Sequence, residues 1–133
     1  MTPVLQGRCH AERLSRLIVE DEAIIAQDLS DAINEAEGEV IGPCSGTREA
    51  RAILKTDTRI TAAVLDVNVR DGAITPVLEA LQARRIPTLI YTGGQVPEDV
   101  RRRHPDLMVL SKPVRPARVI AELRRLSGKP AAG

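Results

Sequence analysis

Phenylalanine and tryptophan are absent from this chain, and Tyr91 is its only aromatic residue. The core must therefore be built from Ile, Leu, Val and Ala, and there is no aromatic platform on which single-stranded nucleic acid could stack. Charge of one sign is missing as well. With 19 basic and 18 acidic side chains the net charge is +1, so no global field draws DNA, anionic lipid or an acidic substrate. Apolar runs are only a few residues long and the N-terminus lacks the apolar stretch of a signal peptide, which predicts a cytoplasmic protein with no membrane partner. Cysteine is scarce: Cys9 and Cys44 lie far apart with no ligand spacing around them, although His10 adjoins Cys9, so reduced thiols without a metal are expected. No Ser, Cys and His arrangement suggests nucleophilic catalysis of the protease kind, and His104, in "RRRHPDL", reads as a surface loop residue. The Arg pairs and triplet at 84–85, 101–103 and 124–125 suit solvated helix faces or ends, so no nucleic-acid partner is expected.

What is present is one domain's worth of alternating strand and helix patterns in 133 residues. Residues 15–20, "SRLIVE", read as a strand, and "EAIIAQDLSDAINEAEG" follows with Ile25, Leu29, Ala32, Ile33 and Ala36 at helical spacing. "EVIGPC" is a short second strand, and "TREARAILK" a second helix with Ala50, Ile53 and Leu54 on one face. "ITAAVLDV" is continuous enough to be covered on both faces, and "ITPVLEALQARR" turns Ile74, Val77, Leu78 and Leu81 inward, with Pro76 in its first turn. "PTLIYT" and "LMVLS" bracket a segment in which only residues 97–103 can be helical, short for a crossover. "RPARVIAELRRLS" ends the pattern with Val119, Ile120, Leu123 and Leu126 on one side. Residues 1–14 read as an N-terminal extension, 15–127 as the domain and 128–133 as a tail. Five such alternations with strands covered on both faces make a doubly wound parallel α/β sheet the economical architecture.

In an open parallel sheet the ligand site lies beyond the carboxyl ends of the strands. There the sequence puts Glu20 and Asp21 after strand one, Asp66 after strand three, Thr92 after strand four and Lys112 after strand five. Three carboxylates in one pocket repel, by about 4 kcal/mol for two unit charges at ~4 Å and an effective dielectric near 20, so a cation must offset them. Mg²⁺ takes one or two carboxylates, keeps waters and accepts phosphate oxygens, and Lys112 adds a mobile positive charge. Asp66 can then be the nucleophile of an aspartyl phosphate. Asp21 and the backbone carbonyl of Asn68 would help hold the metal, Glu20 would act through metal-bound water, Thr92 would donate to a phosphoryl oxygen and Lys112 would pair with it.

The stretches "LIVEDE", "AAVLDVNVRDG", "YTGG" and "LSKPV", in this order and spacing, resemble the receiver domain of two-component response regulators over residues 15 to about 127. The resemblance implies a flavodoxin-like, CheY-like (βα)5 fold with sheet order 2-1-3-4-5 and a cis bond before Pro113. It implies that a sensor histidine kinase or histidine phosphotransfer protein donates a phosphoryl group to Asp66 with Mg²⁺ (or Mn²⁺) required, and that slow hydrolysis follows. Such a domain is a switch that changes the binding of a downstream protein, and is not a turnover enzyme. Asn68, two residues past Asp66, and Gly94, two past Thr92, stand where the family tunes dephosphorylation.

Two departures from the family pattern stand out. The switch aromatic that usually lies three residues before the lysine is here Val109, leaving Tyr91, beside Thr92, as the one substitute, although strand alternation points neighbours to opposite faces. The short fourth helix and "TGG" are similar to the FAT GUY subgroup, with Ile90 and Tyr91 in place of its first two residues, which implies a mobile segment from Gly93 to Asp106. Because receivers often pair through their fourth and fifth helices and the fourth is reduced, a monomer is expected. A stand-alone receiver is the leading reading. The alternatives are a receiver cut from a hybrid kinase or multidomain regulator, a metal-dependent aspartyl-phosphate phosphatase and a pseudo-receiver. The phosphatase reading lacks an acid two residues after Asp66 and a cap insertion, and the intact Asp66, Thr92 and Lys112 set argues against a pseudo-receiver.

Overall fold

The structure is a computed structural model, in which residues 14–36 and 38–132 are described, with side chains to residue 127. Cys9, His10 and the rest of the expected extension up to residue 13 lie outside the described residues. Strands and helices alternate in the order β1 (Leu14–Val19), α1 (Ala23–Ala36), β2 (Gly38–Cys44), α2 (Thr47–Leu54), β3 (Ala62–Leu65), α3 (Thr75–Ala83), β4 (Thr88–Thr92), α4 (Glu98–Arg103), β5 (Met108–Ser111) and α5 (Pro116–Ala132). All five strands are parallel and lie in the order β2-β1-β3-β4-β5. This is the flavodoxin-like arrangement, with its crevice between β1 and β3, where the strand order reverses.

The period of two along each central strand divides the core into two layers. Leu17 and Val19 of β1, Ala63 and Leu65 of β3 and Ile90 of β4 face the side covered by α2, α3 and α4, where Ala50, Val77, Leu81 and Val100 meet them. Ile18, Val64, Leu89 and Tyr91 face the other side, against Leu29 and Ile33 of α1 and Val119, Ile120 and Leu123 of α5. Burial on both faces explains why these strands are nearly unbroken apolar runs. Ala36, on the apolar face expected for the first helix, is exposed in the last turn of α1.

Element ends differ from the sequence expectation by a few residues; β1, for instance, starts at Leu14, the last residue assigned to the extension. The predicted tail at 128–133 is helical as far as Ala132, with Pro130 inside the last turns of α5. Arg16 was not anticipated as a core residue. It is fully buried on the α5 side of β1 and donates from Nη1 to Thr61 Oγ1 and Ser127 Oγ, each at 3.2 Å. Among the described residues, no helix is long and apolar enough to cross a membrane.

Candidate functional site

Asp66 is the first residue past β3. Its backbone N–H still donates to the Val19 carbonyl at 2.9 Å, so the strand pairing carries its buried carboxylate to the mouth of the crevice. Oδ1 accepts from the Asn68 backbone N–H at 2.9 Å, and Oδ2 is 3.0 Å from Lys112 Nζ. Glu20 stands at the equivalent place after β1, its N–H donating to the Cys44 carbonyl at 2.8 Å. One of its carboxylate oxygens lies 2.8 Å from Lys112 Nζ, and the other accepts from the Glu22 backbone N–H at 3.0 Å, at the start of α1.

The Lys112 ammonium thus bridges Glu20 and Asp66, and it meets Glu22 as well, at 2.8 Å. Burial alone would pull its pKa down, but the hydrogen bonds to Glu20, Glu22 and Asp66 outweigh that and hold it above the ordinary lysine range. Burial raises the Glu20 carboxyl above its ordinary value; the bonds from Lys112 and the Glu22 N–H oppose this, and the Asp66 charge adds to it. Carboxylate oxygens of Glu20, Asp21 and Asp66 all lie within 4.8 Å of one another. Asp21 also has the Arg70 guanidinium at 3.7 Å, although Arg70 is itself almost wholly exposed.

Thr92 closes the other wall. Buried at the end of β4, its Oγ1 accepts from Asn68 Nδ2 at 2.9 Å and from the Gly94 N–H at 3.3 Å, and its carbonyl accepts from the Lys112 N–H at 2.9 Å. The two bonds to Oγ1 use its lone pairs and leave the hydroxyl hydrogen to donate. Gly94 is fitted closely under Asn68, since a Cβ there would lie 2.8 Å from Asn68 Nδ2. The Lys112–Pro113 peptide bond is cis.

Val109 and Tyr91 are not drawn into this pocket. Val109 is exposed on β5, at the rim of a groove of about 950 Å³ that Val96, Pro97, Arg101, His104 and Leu107 also line. Tyr91 is buried on the α1 and α5 side of the sheet, the face opposite its own neighbour Ile90. Its hydroxyl donates to the Val114 carbonyl and accepts from the Val114 N–H, both at 3.1 Å, and its ring centroid is 5.8 Å from Lys112 Nζ. Cys44 lies buried behind Glu20 with its thiol pushed up to about 11, by burial first and the Glu49 charge second, so it remains a protonated packing residue.

Sequence reasoning missed three side-chain partnerships in and beside the site. Glu22, just before α1, was given no role at the site, yet it becomes the third carboxylate on Lys112; the run of three acids was the available signal. Arg70 is set beside Asp21 by a loop whose course no local pattern gives. Asp71 reaches Thr47, 24 residues away in sequence, a partnership only the tertiary fold creates.

No family model matches the chain, and no curated protein does so. Solved structures do match. SdrG from Sphingomonas melonis Fr1 is 39% identical with a TM-score of 0.69, over 84% of this chain and 97% of that one. A response regulator receiver domain protein (CheY-like) from Methanospirillum hungatei JF-1 is 21% identical with a TM-score of 0.78, over 91% and 99% of the two chains. The receiver domain of sensor histidine kinase PA1611 from Pseudomonas aeruginosa PAO1, which has a magnesium ion coordinated in its active site cleft, is 20% identical with a TM-score of 0.69, over 87% and 98%.

Proposed function

This chain belongs to the response regulator receiver domains, and we propose that it is a switch that accepts a phosphoryl group on Asp66 from the phosphohistidine of a sensor histidine kinase or phosphotransfer protein. The observation that carries this reading is the setting of Asp66, a buried carboxylate at a strand end whose two oxygens are held by Lys112 Nζ and the Asn68 N–H. In the transfer, a carboxylate oxygen of Asp66 bonds to phosphorus as the bond from phosphorus to the imidazole nitrogen breaks, and the electron pair leaves with the imidazole. Lys112 exchanges its contact with Asp66 for one with a phosphoryl oxygen, and the Thr92 hydroxyl donates to another.

The site suits a divalent cation. Its donors are all hard oxygens, and those of Glu20, Asp21 and Asp66 lie close together. Asp21, Asp66 and the Asn68 carbonyl would hold the ion, with Glu20 acting through a bound water. Mg²⁺ (or Mn²⁺) there supplies the charge that offsets the carboxylates and the incoming phosphoryl oxygens. Asn68 and Gly94 set the access of water to the acyl phosphate, and Gly94 offers no side chain to block it. The output is a change in binding to a downstream protein, with the segment from Gly93 to Asp106 as the part that reorders, in the manner of the FAT GUY subgroup.

Intact-mass measurement after incubation with acetyl phosphate tests the assignment. Wild type with Mg²⁺ is expected to gain one phosphoryl group, and neither the chelated sample nor Asp66→Asn to gain any. Equal labelling of the folded variant would refute the role of Asp66.

A further inference from the structure

The loop after β3 carries a second carboxylate that none of the chemistry above employs. Asp71, five residues past Asp66, reaches the start of α2: its Oδ1 accepts from the Thr47 N–H at 2.8 Å and from the Thr47 hydroxyl at 3.1 Å, and its Oδ2 from the Arg48 N–H at 3.1 Å. The first N–H groups of a helix need acceptors, usually from the residue at the cap position. In α2 that residue is Gly46, in an extended conformation and with no side-chain cap of its own. Asp71 supplies the missing cap from another loop. Gly46 also makes the room for it, because a Cβ there would lie 2.6 Å from Asp71 Cγ. The bonds hold the Asp71 carboxyl below its ordinary range, the one from the Thr47 N–H foremost.

Between the two aspartates the loop has little slack. Val67 and Val69 are buried in the layer under α2 and α3, and the Asn68 N–H is tied to Asp66 Oδ1. A short braced segment therefore joins the Asp66 carboxylate to the first turn of α2. The route that most receivers use, an aromatic side chain on the last strand, is lacking here: Val109 holds that position and Tyr91 is fastened on the opposite side of the sheet.

We propose that Asp71 is a positioning residue that couples the acceptor loop to α2, so that loading Asp66 changes the environment of the first turn of α2. The coupling rests on the reading of Asp66 as the acceptor. New oxygens on Asp66 compete for the Asn68 N–H, the loop shifts with that bond, and Asp71 carries the shift to Thr47 and Arg48.

Backbone amide NMR with beryllofluoride and Mg²⁺, a stable mimic of the phosphoryl group on an aspartate, tests this in the full chain. In wild type, the Asn68, Thr92, Thr47 and Arg48 amides are all expected to shift. In Asp71→Ala, Asn68 and Thr92 still respond while Thr47 and Arg48 fall silent, and Gly46→Ala, which evicts the carboxylate from the other side, does the same. Asp71→Asn, which keeps Oδ1, retains the response at Thr47 and loses it at Arg48. Wild-type shifts at Asn68 and Thr92 without any at Thr47 and Arg48 overturn the coupling alone, as do undiminished Thr47 and Arg48 shifts in Asp71→Ala. Absence of shifts throughout wild type overturns the acceptor reading and the coupling with it.

Discussion

At the scale of single residues, Lys112 and Tyr91 show how one strand junction serves two faces of the sheet. Lys112 faces the crevice and is shared among three carboxylates, while Tyr91, on the neighbouring strand, turns the other way and closes a reciprocal pair of hydrogen bonds with Val114. That pair fastens the chain just beyond the cis Lys112–Pro113 bond. Tyr91→Phe leaves the Val114 N–H and C=O without their partner in a part-buried setting, where such a loss costs about 1–3 kcal/mol. Urea denaturation is expected to show that loss, while phosphoryl uptake by intact mass survives, since nothing on the crevice side is touched. A variant that keeps its stability but loses uptake would instead make Tyr91 part of the switch. The strand-end acids, Thr92 and Lys112 were legible because each interrupts or follows an apolar run where a charged or polar group is costly unless used. Glu22 and Asp71 were not, because their partners, Lys112 and α2, are distant in sequence, and Glu22, beside a helix start, also has a sufficient local explanation.

At the scale of elements, the alternation of strand and helix was plain from apolar spacing, since most of the expected inward positions, from Leu29 to Leu123, are buried. Ends were harder to read. In "GKPAA" the glycine and proline read as a helix stop and no apolar period argues otherwise, yet α5 runs on to Ala132. The outlier among the helices is α4: six residues, with only Val100 buried and with Glu98 and Asp99 in its first turn against three arginines in its last. Those charges suit the helix dipole, but so short a helix is marginal without packing. Its amides are therefore expected to exchange with solvent fastest among the helices from α1 to α4, with protection well below that of α3, measured by hydrogen exchange and mass spectrometry. Exchange in α4 as slow as in α3 would remove the basis for a segment that reorders on signalling. A lone buried valine leaves that segment free to take its order from a partner.

For the whole molecule, the sheet sets the terms on which the charges meet. Parallel order β2-β1-β3-β4-β5 brings the ends of β1 and β3 side by side, so Glu20, Asp21 and Asp66 are held together by the pairing that stabilises the fold. Folding thus pays for their repulsion in advance, and any cation that binds the folded chain and not the unfolded one returns stability by mass action. At a free Mg²⁺ concentration ten times its Kd the gain is about 1.4 kcal/mol, or roughly 5 °C in Tm for a domain of this size. Calorimetry should show that increment in wild type and its loss in Asp66→Asn and Asp21→Asn. Without metal, Asp66→Asn is expected to melt at or above the wild-type temperature: one of three repelling charges is gone, and Lys112 keeps Glu20 and Glu22 as partners. A lower melting point for that variant would mean that the contact between Lys112 and Asp66 outweighs the repulsion. The crevice would then be a structural ion-pair network, whereas a site built to receive charge should gain when one of its own charges is removed.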